Sequence, residues 1–240
     1  MARGGQQTIP RPSGWKPGGP NPWIDHADGA SFAISEIESR LARHGEARAF
    51  PGGSALADLL PTTPMRPPFV NVAKDAAVLL PLYTDETGAT RLLLTRRSGR
   101  LRNHRGEVAF PGGRLDHGEL PVDAALRETE EEVALPRSAV RIVGELEPLT
   151  TVVSSSRITP LVGVVDDMIS LLPTLRPNPI EVDRIFSVSL SELIDVDCYR
   201  EEIWPFSDGT FPVWFFEVDN DTIWGATARM IRRLLDLSLL

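Results

Sequence analysis

Residues 113–135 read GRLDHGELPVDAALRETEEEVAL. The spacing within this stretch predicts a helix over about 121–133. At about 100° per residue, with Glu128 as origin, Glu131 falls near about −60° and Glu132 near about +40°, so three carboxylates share one face. Val122, Leu126, Thr129 and Val133 cluster on another side as the expected core face. Ala124 and Ala125 flank the carboxylates and leave room above them. Glu130 points away, and Arg127 is placed to brace one of the glutamates.

Like charges clustered in this way cost an isolated helix about 0.2–0.5 kcal/mol per close pair. A hard divalent cation offsets that cost, because such ions take oxygen ligands and join carboxylates to substrate phosphates. The segment just upstream has the opposite charge. Residues 91–106 hold Arg91, Arg96, Arg97, Arg100, Arg102, Arg105 and His104 and no acid, whereas residues 116–132 hold seven acids. Between them Phe110-Pro111-Gly112-Gly113 permits a sharp turn and close backbone approach. An anion gripped by arginines on one side and by metal on the other suits phosphoryl chemistry. A bare Arg-Glu-x-x-Glu-Glu is also what a solvated acidic face looks like, so the wider spacing has to decide.

Five residues separate Gly113 from Glu119 and seven separate Glu119 from Arg127, which begins Arg127-Glu128-Thr129-Glu130-Glu131-Glu132. Over residues 113–135 this resembles the Nudix box, G-x5-E-x7-R-E-U-x-E-E-x-G-U, with U bulky and aliphatic. Thr129 stands in an aliphatic slot and Ala134 in the late glycine slot. A left-handed Ala134 would carry strain of roughly 1–2 kcal/mol, so the helix is expected to end differently, forced by Pro136. Upstream, Leu93-Leu94-Thr95-Arg96-Arg97-Ser98, then Arg102, Gly106 and Phe110-Pro111-Gly112-Gly113, resembles the mark of the coenzyme A pyrophosphatase branch. Segments 177–182 and 223–228 are similar to that branch as well.

The resemblance covers about residues 31–240. It implies an α/β fold, the Nudix-type α/β/α sandwich with a mixed β-sheet between helices. It also implies cleavage of coenzyme A or acyl-CoA to 3′,5′-ADP and 4′-phosphopantetheine or its acyl form, with Mg²⁺ or Mn²⁺ as cofactor. Glu128 and Glu132, one turn apart, become metal ligands; Glu131 becomes a third ligand or the base. Arg127 is an orienter, and Glu119 an outer ligand or a solvent-exposed acid. Arg97 and Arg102 become phosphate contacts, alongside Gly112 and Gly113. Phe110 either stacks on a base or packs in the core. Some Nudix enzymes recruit a glutamate from far beyond the box, and Glu181, in a Pro-Asn-Pro loop, is the candidate here; an exposed loop acid is its other reading. Two rivals stay open: a Nudix pyrophosphatase for ADP-ribose or another nucleoside diphosphate derivative, and a non-catalytic nucleotide-binding module.

The rest of the chain is consistent with a globular enzyme of 240 residues, 42% hydrophobic and 24% charged. A net charge of −8 argues against a general nucleic-acid binder. No apolar run reaches the ~18–20 residues of a membrane helix. One cysteine, Cys198, excludes a disulfide scaffold, and the expected compartment is the cytoplasm. Residues 1–30 are expected to form an irregular or disordered arm, either pinned in part by Trp15 and Trp23 to the domain at 31–240 or free of it. Further expectations are a helix from about Ser31 to Gly45, a helical turn at Ala55–Leu60, and a hairpin over 75–97. Strands are expected near 139–147, 157–165, 183–188 and 211–218, with helices near 189–195 and 225–238. A homodimer is implied by the resemblance alone.

Overall fold

The computed structural model describes residues 4–5, 7–26, 30, 32–49, 74–101, 103–151, 156–207 and 209–239. The helical turn expected at Ala55–Leu60 lies outside them. In chain order the elements are β1 (Lys16–Pro17), α1 (Ile34–Ala49), β2 (Lys74–Thr84), β3 (Thr90–Arg97), β4 (Val108–Ala109), β5 (Gly112–Arg114), α2 (Pro121–Val133), β6 (Arg141–Glu145), β7 (Leu149–Thr150), β8 (Ser156–Val164), α3 (Met168–Leu171), β9 (Val182–Ser189), α4 (Leu190–Leu193), β10 (Tyr199–Phe206), β11 (Gly209–Val218), β12 (Asp221–Ile223) and α5 (Gly225–Leu239).

The hairpin β2–β3 turns on Asp85, whose Oδ1 accepts the N–H groups of Thr87 and Ala89, while Gly88 takes a positive φ of 84°. This is side-chain mimicry of a turn followed by the residue that tolerates left-handed backbone. The larger sheet runs β4-β3-β2-β8-β6, with β5 paired to β2, β7 to β8 and β9 to β3. β2 and β8 are parallel and the other pairs antiparallel, so the sheet is mixed.

Alternation along β2 sends its side chains to two different cores. Ala77 and Leu79 meet Ala124 and Ala125 of α2 on one face. Leu80 and Leu82 meet Ile37 and Leu41 of α1 and Ile231 and Leu234 of α5 on the other. Helices therefore cover both faces, as an α/β/α sandwich requires.

A second, antiparallel sheet runs β1-β10-β11-β12. The sequence reading did not anticipate β10. Its run Arg200-Glu201-Glu202 breaks any apolar alternation, yet Glu202 is only 3% exposed. That carboxylate is satisfied by Arg11, Arg200 and the Trp204 indole N–H, so a charged residue fills a buried slot. The described part of the N-terminal segment is laid along this sheet. Gly4 N–H reaches the Val218 carbonyl, Lys16 and Pro17 pair with Ile203 and Glu202, and Gly18 N–H reaches the Glu201 carbonyl. Trp23 is completely buried, whereas Trp15 stays 38% exposed.

Candidate active site

The site forms where β5 passes under α2. Gly112 sits at φ 148° against β2, where a Cβ would stand 2.4 Å from the Ala77 carbonyl oxygen and 2.5 Å from Val78 Cα. Only glycine fits there. At Gly113 a Cβ would meet the Glu128 carboxylate at 2.4–2.6 Å. The second glycine is thus the floor on which Glu128 rests. One turn along α2, Glu132 Oε2 accepts the Gly112 N–H at 3.1 Å.

Arg127 organises the outer side of the cluster. Its Nε and one terminal nitrogen clasp both oxygens of Glu119 at 2.9 Å each. Its other terminal nitrogen reaches Glu128 at 2.9 Å and Glu131 at 3.5 Å, and a further bond goes to the Arg114 carbonyl. A planar fork with five donors suits this bracing as a lysine would not. The guanidinium holds the Glu119 carboxyl down to about 2 and is itself held above its ordinary value by Glu119. Burial pushes Glu132, 4% exposed, up to about 7 and raises Glu128 as well. In both, the charge of Glu181 adds to the rise. Glu131 is the exposed member, its side chain 57% accessible.

The wall opposite α2 comes from the loop at 176–182. Its backbone caps the end of α2: Arg176 N–H bonds the Val133 carbonyl and Asn178 N–H the Glu132 carbonyl. The same loop joins β3, where Ser98 N–H bonds the Glu181 carbonyl. These backbone bonds, which no side-chain motif announces, bring Glu181 within electrostatic reach of Glu128 and Glu132. Among the described residues the Glu181 carboxylate has no hydrogen-bond or ion-pair partner. Arg97, on β3 at a bulge beside Arg96, lowers the Glu132 carboxyl electrostatically; its buried Nε has no hydrogen-bond partner among the described residues.

Several expectations need correction. Phe110 is 3% exposed and packs in the main core, so it is not a binding residue. Ala134 is left-handed after all, at φ 60° and ψ 28°, and its N–H bonds the Glu130 carbonyl. The backbone capping from residues 176 and 178 holds the helix end in that strained form. The core face of α2 is rotated from the expected one. Ala124 and Ala125 are fully buried against β2 rather than open above the carboxylates, and Val122 is exposed. Small residues at those places let α2 lie close enough to β5 for Glu128 to rest on Gly113. Thr129 does turn inward, its hydroxyl bonded to the Ala125 carbonyl.

Other arginines take separate parts. Arg96 and Arg184 both bind the buried Asp221, while Arg100 and Arg105 are exposed. Arg102 lies outside the described residues. Glu130 pairs with Arg137, away from the cluster, and the exposed His104 pairs with Glu107.

The donors gathered by α2 are carboxylate oxygens, with neither imidazole nor thiolate beside them, which fits a hard divalent cation. Among the described residues, no three such side chains already stand as a formed metal cage. Arg127 engages Glu128 and Glu131, and Gly112 engages Glu132. The buried Glu132 and the half-buried Glu128, both made harder to ionise by burial and by neighbouring carboxylates, are nevertheless a place where a cation lowers the energy.

The family described as NUDIX domain matches residues 73–209. A protein of Photorhabdus laumondii named "Uncharacterized Nudix hydrolase NudL" is 40% identical over 162 residues, covering 67% of this chain and 83% of that protein. The protein of the same name from Yersinia enterocolitica is 41% identical over 160 residues, covering 66% and 78%. Among solved structures, the Nudix hydrolase RenU from M. smegmatis aligns with a TM-score of 0.42 at 23% identity, covering 52% of this chain and 75% of that one.

Proposed function

The chain belongs to the Nudix hydrolase family, and from that membership we propose that it hydrolyses the pyrophosphate bond of coenzyme A or acyl-CoA, giving 3′,5′-ADP and 4′-phosphopantetheine or its acyl form. The observation that carries this reading is Arg97. It occupies a fixed position of the upstream arginine motif, and its buried Nε, near Glu132, lacks a partner among the described residues. A buried donor without an acceptor is costly, and a phosphate oxygen of the substrate would satisfy it.

Glu128, Glu131 and Glu132 would hold Mg²⁺ or Mn²⁺. Such an ion, when bound, supplies an acidified water and polarises a phosphoryl oxygen. Arg127 keeps Glu119, Glu128 and Glu131 oriented. Gly112 and Gly113 set how closely β5 approaches β2 and the Glu128 carboxylate. Glu181, which comes from the opposite wall and has no partner among the described residues, would take the proton from the attacking water.

The test is incubation of the purified protein with coenzyme A, and with ADP-ribose in parallel, in Mg²⁺ or Mn²⁺, resolving products by mass. Release of 3′,5′-ADP and 4′-phosphopantetheine, abolished by chelator, is the expected result. Cleavage of ADP-ribose with coenzyme A untouched would overturn the substrate reading and leave the α2 site standing. In the same assay Glu181→Gln should lower kcat by roughly 10²–10⁴-fold with little change in KM, as loss of a proton acceptor does. A wild-type kcat would remove Glu181 from that role.

A further inference from the structure

Glu181 comes to the α2 carboxylates on a loop, and a loop fixes a side chain only as well as its backbone is tied. Pro179 has no N–H, and the three backbone N–H groups after it all end on Asn178. Ile180 N–H donates to Asn178 Oδ1 at 3.1 Å. Glu181 N–H and Val182 N–H both donate to the Asn178 carbonyl, at 3.0 and 2.8 Å. Asn178 N–H donates in turn to the Glu132 carbonyl at 2.9 Å. One residue therefore joins the backbone of Glu132 to the backbone of Glu181.

Residue type accounts for this arrangement. Asparagine followed by proline is a favoured opening of a tight turn, and the asparagine side chain bonds the backbone two residues on. Pro177 and Pro179 each fix their own φ, and Pro179 also turns Asn178 away from helical backbone. An aspartate would close the same turn, but it would add a negative charge beside Glu128, Glu132 and Glu181, which the neutral amide avoids. Beyond Glu181 the chain is anchored to the end of β3. Ser98 N–H bonds the Glu181 carbonyl at 2.8 Å, Gly99 N–H bonds the Asp183 carboxylate at 3.1 Å, and Val182 is buried. Ile180, just before Glu181, is 70% exposed, so packing does little to hold it. The bond from its N–H to the Asn178 side chain holds it instead, and this is the one tie in the turn that depends on the identity of residue 178.

We infer that Asn178 is a positioning residue for Glu181: by closing the turn on the Ile180 N–H, its side chain fixes where the Glu181 carboxylate stands relative to Glu128 and Glu132. The inference rests on the proposed role of Glu181 as proton acceptor. It does not depend on whether coenzyme A or ADP-ribose is the substrate.

The experiment measures kcat and KM of the full chain and of Asn178→Ala, Asn178→Ser, Glu181→Gln and the double variant Asn178→Ala/Glu181→Gln, on coenzyme A and on ADP-ribose. Asn178→Ala keeps every backbone bond of the turn and removes only the side-chain acceptor, so Tm should be nearly unchanged. Its kcat should fall roughly 10–10²-fold with little change in KM, as expected when a reacting group is misplaced by about 1 Å. Asn178→Ser, whose hydroxyl makes the same bond more weakly, should recover part of the loss. In the Glu181→Gln background Asn178→Ala should have little further effect, because the two residues serve one step. All rates are compared at a temperature where every variant is folded, so a lowered Tm does not blur the result. A wild-type kcat in Asn178→Ala, or the same fold loss with and without Glu181, would overturn the positioning role and leave Glu181 as proton acceptor. A wild-type kcat in Glu181→Gln would overturn that acceptor role, and this inference with it.

Discussion

Gly112 and Gly113 are adjacent and serve different purposes, which mutation can separate. A methyl group at Gly112 strikes backbone, the Ala77 carbonyl and Val78 Cα, which cannot yield without opening the β2–β5 pairing. At Gly113 it strikes only the end of the flexible Glu128 side chain. Gly112→Ala should therefore cost several kcal/mol of stability, about the 1–3 of an overpacked site plus backbone strain. Gly113→Ala should fold with a nearly unchanged Tm and lose activity, because it displaces the Glu128 carboxylate. Thermal denaturation beside an activity assay checks the pair, and an active Gly113→Ala protein would contradict the geometry. Glu132 makes a third test at this scale. Glu132→Gln keeps the shape and an acceptor for the Gly112 N–H, so kcat should fall on the order of 10²–10³-fold, as for a lost electrostatic group, without loss of fold.

α2 shows how an element can carry strain at its end to keep a functional face in register. Ala134 is left-handed because the carbonyls at the helix end are engaged by Arg176 and Asn178 N–H groups from the loop that carries Glu181. Glycine has no Cβ penalty in that region. Ala134→Gly should raise stability by about 1 kcal/mol, or roughly 2–4 °C in a chain of this size. A calorimetric scan decides it, and a lower Tm would mean that the alanine is not strained. The helix itself was legible: 113–135 fixes the spacing of Gly113, Glu119, Arg127 and the three glutamates, and α2 runs over the expected 121–133. Its rotation was not legible. Fully buried alanines on the sheet side look, in sequence, no different from alanines on an open face.

Across the whole molecule, Trp23 joins the N-terminal segment to α5 and to the second sheet. It is fully buried, donates its indole N–H to Asp236 at 3.0 Å, and packs against Tyr199 and Phe216. Trp23→Ala should cost about 3–5 kcal/mol, measured by denaturant unfolding. Asp236 brings a pH dependence with it. Burial raises its carboxyl above the ordinary value of 3.8 in the folded state, against the lowering by Arg232 and the Trp23 indole. The folded chain thus holds that proton more tightly than the unfolded one. The contribution is fully present below about 3.8 and is lost as pH rises through the raised folded value. Asp236→Asn keeps an acceptor for Trp23 and removes the charge, so it should flatten that part of the profile of Tm against pH. An unchanged slope would assign the dependence to other groups.

The chain by itself determined the residue types and the local order of the candidate site. Oxygen donors at helical spacing, a pair of glycines before them and an arginine-rich strand upstream are properties of residue type and interval, and short-range geometry converts them directly into a face. It also determined the β2–β3 hairpin, through the Asp85–Gly88 turn and the apolar runs on either side. Only the tertiary structure decided which charged groups are spent on holding the protein together. Arg96 goes to Asp221 and Glu202 to Arg11, Arg200 and Trp204, while the buried Arg97 Nε is left without a hydrogen-bond partner among the described residues. The reason is physical: whether a charge is satisfied depends on neighbours distant in sequence, and on how much water the packing removes.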